Sequence, residues 1–202
     1  RTTVPYAWQV DQTDRHAAHL ISQTEGSPNF GGTPADAAVL EAIAALKAAG
    51  MAVTLSPFLL MDVPEGNGLP DPRGWIGQPA FPWRGRITVT TDKSASARTE
   101  IEAFVGEDGE FGFRHFILHH ARLAAAAGGV DAILIGSAMI GLTRVRDEAG
   151  RFPFVEALRA IAAEVRAIVG AEVSLSYAAD WTEYGAYAPG DGSRDVLFPL
   201  DE

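Results

Sequence analysis

Three times along this chain a stretch of helical period ends at glycine and gives way to a short run of apolar, largely β-branched residues. That alternation restricts the fold more than any other feature, because strands separated by helices of this length must cross back over the sheet and lie parallel. In the first unit Thr33 is placed to cap a helix, Pro34 suits its first position, and Asp36 stands three residues past the cap. Val39, Ala42, Ile43 and Leu46 form its apolar stripe and Gly50 stops it; residues 51–61 then read as a strand covered on both faces, with Asp62 at its carboxyl end. The second unit is a helix over 110–127, stopped by Gly128-Gly129, and a strand over 130–135. The third opens near Pro153, carries Phe154, Leu158, Ile161, Val165 and Ile168 on one stripe, ends at Gly170 and leads into a strand over 172–177. The predicted class is α/β.

In parallel α/β folds the site forms at the carboxyl ends of the strands and in the loops that follow them. Gly136, Ser137 and Ala138 occupy that position after the second strand, and where a reactive group is expected Ala138 offers a methyl. Residues 63–86, rich in glycine and proline around Leu69-Pro-Asp-Pro72 and Pro82-Trp-Arg-Gly-Arg86, are far longer than a usual strand-to-helix connection. They are expected to lie over the strand ends as a functional lid, with Trp83 facing the same cleft as Trp181. Residues 90–98 are polar and read as a mobile surface loop.

With 202 residues and 47% hydrophobic content the chain can bury one substantial core. A net charge of -10 without a basic run argues against electrostatic capture of nucleic acid or of an anionic membrane. No apolar run approaches the roughly 18 residues of a membrane span, and no basic segment precedes an apolar one at the amino terminus. The absence of cysteine excludes disulfides, thiol nucleophiles and cysteine metal sites. Gly31-Gly-Thr-Pro34 lacks the lysine and glycine spacing of a phosphate loop, so it reads as helix initiation and no cofactor is expected.

Laid out in order, the segments Gly31-Gly-Thr-Pro-Ala-Asp36, Pro57-Phe58, Met61-Asp62, Leu69-Pro-Asp-Pro72, Pro82-Trp-Arg-Gly-Arg-Ile-Thr88, Ala127-Gly-Gly-Val-Asp131, Gly136-Ser137, Gly141-Leu-Thr143 and Ser176-Tyr-Ala-Ala-Asp-Trp-Thr-Glu-Tyr184 give the chain its strongest likeness. It resembles the TIM-barrel-like domain of gene transfer agent and related phage tail-tip hub proteins. The resemblance implies a (β/α)-repeat barrel related to glycoside hydrolases, acting on or recognising cell-envelope polysaccharide or peptidoglycan during DNA delivery. It implies other tail-tip and baseplate proteins as partners, and a place in the virion tail tip after assembly in the bacterial cytoplasm. Two departures stand out. Where this chain has Gly136-Ser137-Ala138 the family is expected to read Gly-Ser-Glu, so Ala138 removes the likeliest acid. Three strands can be read where a closed barrel needs eight, so the domain over 1–202 is expected to be incomplete at both ends.

Glycoside hydrolysis needs two carboxyl groups flanking the scissile bond, about 5 Å apart for retention and about 6.5 to 9.5 Å for inversion. Asp180 and Glu183 are the catalytic candidates, following the third strand and interleaved with Trp181 and Tyr184, which suit stacking on sugar faces. The alternative is a solvated loop that Trp181 anchors to the core. Asp62 either meets substrate or caps the backbone of the long loop. Trp83, Arg84 and Arg86 form either a ligand-contacting rim or a salt-bridged brace. Ser137 faces the candidate site with no histidine near it in sequence. His115 and His119 have the i, i+4 spacing of a zinc-binding helix face, but Phe116 stands where a zinc protease has its glutamate and barrel helices face away from the site, so no metal is expected. Beside a recognising or hydrolysing domain stands a second class, a purely structural or carbohydrate-binding scaffold module.

Overall fold

The computed structural model describes residues 6–7, 19–20, 36–59, 61, 65–66, 79–80, 82–107, 112–183, 186–187 and 196–197. In chain order its elements are β1 (Tyr6–Ala7), β2 (His19–Leu20), α1 (Asp36–Ala48), β3 (Thr54–Leu55), α2 (Ala95–Val105), α3 (Phe113–Ala126), β4 (Ala132–Ser137), α4 (Ile140–Thr143), α5 (Pro153–Val169), β5 (Ser174–Ala178), β6 (Ala186–Tyr187) and β7 (Val196–Leu197). Single 3-10 turns lie at Arg84–Arg86 and Trp181–Glu183. Strands β3, β4 and β5 form a parallel sheet in that order, with Thr54 opposite Ala132 and Ala132 opposite Ser174. The strands that the helix-glycine-strand rhythm predicts are therefore present, parallel and adjacent. Two antiparallel pairs, β1 with β2 and β6 with β7, accompany them.

Asp131 fastens the amino-terminal edge of this sheet. Its carboxylate accepts from Val53 N at 2.7 Å, its own N–H donates to Val53 O at 2.9 Å, and its carbonyl accepts from Ser174 N at 2.9 Å. The chain reaches Asp131 through Gly128 and Gly129, whose φ of 87° and 95° is the left-handed backbone that a side chain disfavours.

The boundaries differ from the sequence reading in informative ways. Of 51–61 only Thr54–Leu55 joins the ladder; Pro57, which lacks an N–H, follows closely. Val53, Pro57, Leu59 and Met61 are buried while Thr54, Ser56 and Phe58 are exposed, so this segment covers one face rather than two. The second strand runs two residues later than 130–135 and takes in Gly136 and Ser137. A Cβ on Gly136 would sit 3.0 Å from the Tyr177 ring, so glycine here lets that ring pack flat against β4.

Residues 90–98 are not a loop throughout, since α2 starts at Ala95. The Ser94 hydroxyl caps it by accepting from Ala97 N at 3.1 Å, and Ala97, Ile101 and Phe104 at i, i+4 and i+7 are buried. The polar first turn conceals this stripe when composition alone is read. Phe104 meets Phe113 of α3 and Phe154 of α5 at ring-centroid distances of 5.6 and 6.0 Å, and Phe113 meets Phe154 at 5.5 Å. These rings lock the three helices together over the sheet. Helix α1 buries Ile43 but leaves Ala42 and Leu46 exposed, so its predicted stripe is only partly used among the described residues.

Candidate functional site

Strand β4 delivers Ser137 to the carboxyl edge of the sheet, where Arg84 seizes it. Arg84 Nε donates to the Ser137 carbonyl at 2.6 Å and Nη2 donates to Ser137 Oγ. The guanidinium carbon lies 5.0 Å above the Phe58 ring centroid, a cation–π placement. Of the long connection 63–86, residues 63–64, 67–78 and 81 lie outside the described residues, and it is the turn Arg84–Arg86 that meets the carboxyl end of β4. Trp83 is 42% exposed, and its ring packs over Gly85 so closely that a Cβ there would meet it at 2.4 Å. Arg86 sits half-buried at the end of the same 3-10 turn.

Ala138, directly after Ser137, has φ 50°, a conformation costing a non-glycine residue about 1–2 kcal/mol. Hydrogen bonds on both sides hold it there: Ala138 N donates to Ala178 O at 2.8 Å, and Met139 N donates to the Tyr177 hydroxyl at 2.7 Å. Helix α4 then begins, and Gly141 brings its backbone so near the Arg84–Arg86 turn that a Cβ would stand 2.1 Å from Ile87 O.

Strand β5 ends in a turn that carries the two candidate acids into different surroundings. Glu183 is 1% exposed and accepts from Asp180 N at 2.6 Å, Thr143 Oγ1 at 2.8 Å and the Tyr177 hydroxyl at 3.1 Å. Burial pushes its carboxyl above the ordinary range, against the lowering effect of these three donors. Burial likewise pushes the Tyr177 hydroxyl upward, helped by the negative charge of Glu183. Asp180 accepts from Thr182 N at 2.9 Å and from Thr182 Oγ1, and these bonds hold its carboxyl below the ordinary range. The Trp181 between them is 83% exposed, so the loop's anchor is Glu183 and not Trp181.

The structure thus brings together Arg84, Ser137 and Glu183, with Tyr177, Thr143 and Phe58 as members that the sequence reading gave no role. All three lie inside the quoted segments Ser176-Tyr-Ala-Ala-Asp-Trp-Thr-Glu-Tyr184, Gly141-Leu-Thr143 and Pro57-Phe58, but their roles depend on partners from other elements: Tyr177 and Thr143 on Glu183, Phe58 on Arg84. Asp62 and Tyr184 lie outside the described residues, as do Thr33 and Pro34. His119 Nε2 stands 3.1 Å from Asp36 Oδ1 and ties α3 to α1, while the His115 and His119 rings are 6.4 Å apart. Among the described residues no cluster of three or more His, Asp or Glu is arranged to hold a metal, and no helix is long and apolar enough to cross a membrane.

A three-stranded parallel sheet packed against helices, with polar side chains gathered at its carboxyl edge, defines an α/β domain with its candidate site at the strand ends, and its family and structural likenesses make it TIM-barrel-like. Residues 111–202 match the sequence profile of the GTA TIM-barrel-like domain family. The structure is similar to that of a GH113 β-1,4-mannanase in complex, with a TM-score of 0.50, 17% identity, and coverage of 89% of this chain and 44% of that one. The chain accordingly spans less than half the length of that enzyme, with which it shares the barrel fold. No curated protein sequence matches it.

Proposed function

We propose that this is a barrel module of the tail tip of a gene transfer agent or phage-like particle, which recognises cell-envelope polysaccharide or peptidoglycan during DNA delivery without hydrolysing it. One observation carries the reading: at the turn after β4 the backbone is held in position to present a side chain at the carboxyl edge, and that side chain is the methyl of Ala138. Glu183, a buried carboxyl linked to this turn through the Tyr177 hydroxyl, is already engaged by three donors. The match of 111–202 to the GTA TIM-barrel-like family supports the particle context. Trp83, Phe58 and Trp181, exposed by 42, 52 and 83%, supply apolar faces of the kind on which sugar rings stack.

Incubation with purified sacculi and with extracted envelope polysaccharide tests this. Co-sedimentation without release of reducing ends is expected, and Ala138→Glu is expected to introduce slow release. Robust release by the unaltered chain overturns the non-hydrolytic reading. Absence of any co-sedimentation overturns recognition and leaves a scaffold module, which the fully satisfied network around Glu183 would serve as well.

A further inference from the structure

Partly or fully buried guanidinium groups in this chain are ordinarily compensated by carboxylates. Arg98 pairs with Asp147 and Glu156 at 2.7 and 2.9 Å, Arg114 with Glu164 at 2.9 Å and with Glu107, and Arg146 with Asp92. Arg166 is compensated differently, by the carbonyls of Gly170, Ala171 and Val173 just past the end of α5, where the helix dipole favours a cation. Arg84 has neither arrangement. Half-buried at the carboxyl edge of the sheet, it is held by a neutral carbonyl, a neutral hydroxyl and an aromatic face. Glu183 acts on it only at longer range, and among the described residues no carboxylate pairs with it.

We propose that Arg84 is the receptor for a carboxylate on the glycan, so that the site selects polysaccharide bearing acidic, uronic-acid-type sugars over neutral ones; this rests on the recognition reading above. Nε and Nη2 are spent on Ser137, which fixes the plane of the guanidinium, and among the described residues Nη1 carries no hydrogen-bond partner. A planar donor set pinned at one end, with its other end unengaged by the described residues, suits a carboxylate, and the Phe58 ring beneath it excludes water from one face. Burial pushes the guanidinium below its ordinary value, and the more distant Tyr177 and Glu183 offset this only in part. The rest of the chain repels acidic polymers, since its net charge is -10. Selection of an acidic sugar therefore depends on a local cation such as this one. Exposed Trp83, next in sequence, is placed to carry the apolar face of the same or a neighbouring ring.

Titration calorimetry with trigalacturonate, its methyl ester and neutral mannotriose decides the matter. The unaltered chain is expected to bind the acid at least tenfold more tightly than the ester, a preference that shrinks as salt is raised. Arg84→Gln is expected to abolish the preference, and Arg84→Lys, which keeps the charge but loses the fork, to retain only a small part of it. Equal affinity for acid and ester overturns the proposal on the unaltered protein alone, whatever the variants do. So does a preference that survives Arg84→Gln. If sacculi and neutral sugars bind without acid preference, only the role of Arg84 falls; if nothing binds, including sacculi, the recognition reading falls with it.

Discussion

Glu183 offers the sharpest test of how the carboxyl edge is built. Replacing it by alanine leaves three donors facing a void: the Asp180 N–H, the Thr143 hydroxyl and the Tyr177 hydroxyl. The hydroxyls can rotate toward other acceptors, but the Asp180 N–H is fixed by the turn, and an orphaned buried donor costs about 1–3 kcal/mol. Removing an ionised carboxyl from a dry site returns part of this. The balance is a loss of about 1–2 kcal/mol, which for a chain of this size lowers Tm by about 2–8 °C. Glu183→Gln behaves differently. Its amide oxygen can face Asp180 N while its amide nitrogen donates to Thr143 or Tyr177, so the cost is within about 1 kcal/mol.

The two variants also separate by pH. Because the folded carboxyl of Glu183 titrates above its usual 4.5, its contribution to stability is full below that value and declines as pH rises through the folded pKa. Glutamine carries no such decline, so Glu183→Gln should gain relative to wild type as pH is raised from 4.5 toward neutrality. Urea unfolding of wild type and both variants across that range is the assay. An alanine variant within 1 kcal/mol of wild type, or a glutamine variant no better than alanine, would refute the claim that this carboxyl anchors the turn.

Three further outcomes follow from the same structure. Burial holds His120 down to about 4 while Phe116 O engages its Nδ1 at 2.8 Å, so it folds neutral; its contribution is present above 6.5 and is lost as pH falls from there toward 4. His120→Gln should flatten the pH dependence of Tm in that window, and an unchanged slope counts against it. Gly141→Ala places a Cβ 2.1 Å from Ile87 O and should cost about 2–3 kcal/mol by forcing α4 off the Arg84–Arg86 turn, measured by chemical denaturation; a neutral effect would show that the approach is not tight. Trp83→Ala should weaken oligosaccharide binding by about 1–3 kcal/mol in calorimetry with Tm nearly unchanged, and an equal loss of stability would make Trp83 a brace.

What the sequence by itself determined was everything carried by local period and punctuation. Glycines at 50, 128, 129 and 170 end helices where φ turns positive, and the apolar stripe of α5 faces the core as its spacing requires. These are signals within one turn or one strand, so no distant contact is needed to read them. Helix α2 escaped because its capping serine begins a polar turn whose buried positions, Ala97, Ile101 and Phe104, are spread over seven residues. The shortened β3 escaped because pairing depends on what β4 offers it and not on its own apolar content. Only the tertiary structure could bring Arg84 to Ser137, 53 residues away, or Thr143 to Glu183, 40 residues away. Which of two carboxyls three residues apart is buried and which caps its own turn is likewise settled by the strand ends they meet. A spacing in sequence fixes a side chain's phase on its element, whereas its partner and its dielectric surroundings come from other elements that the fold brings alongside.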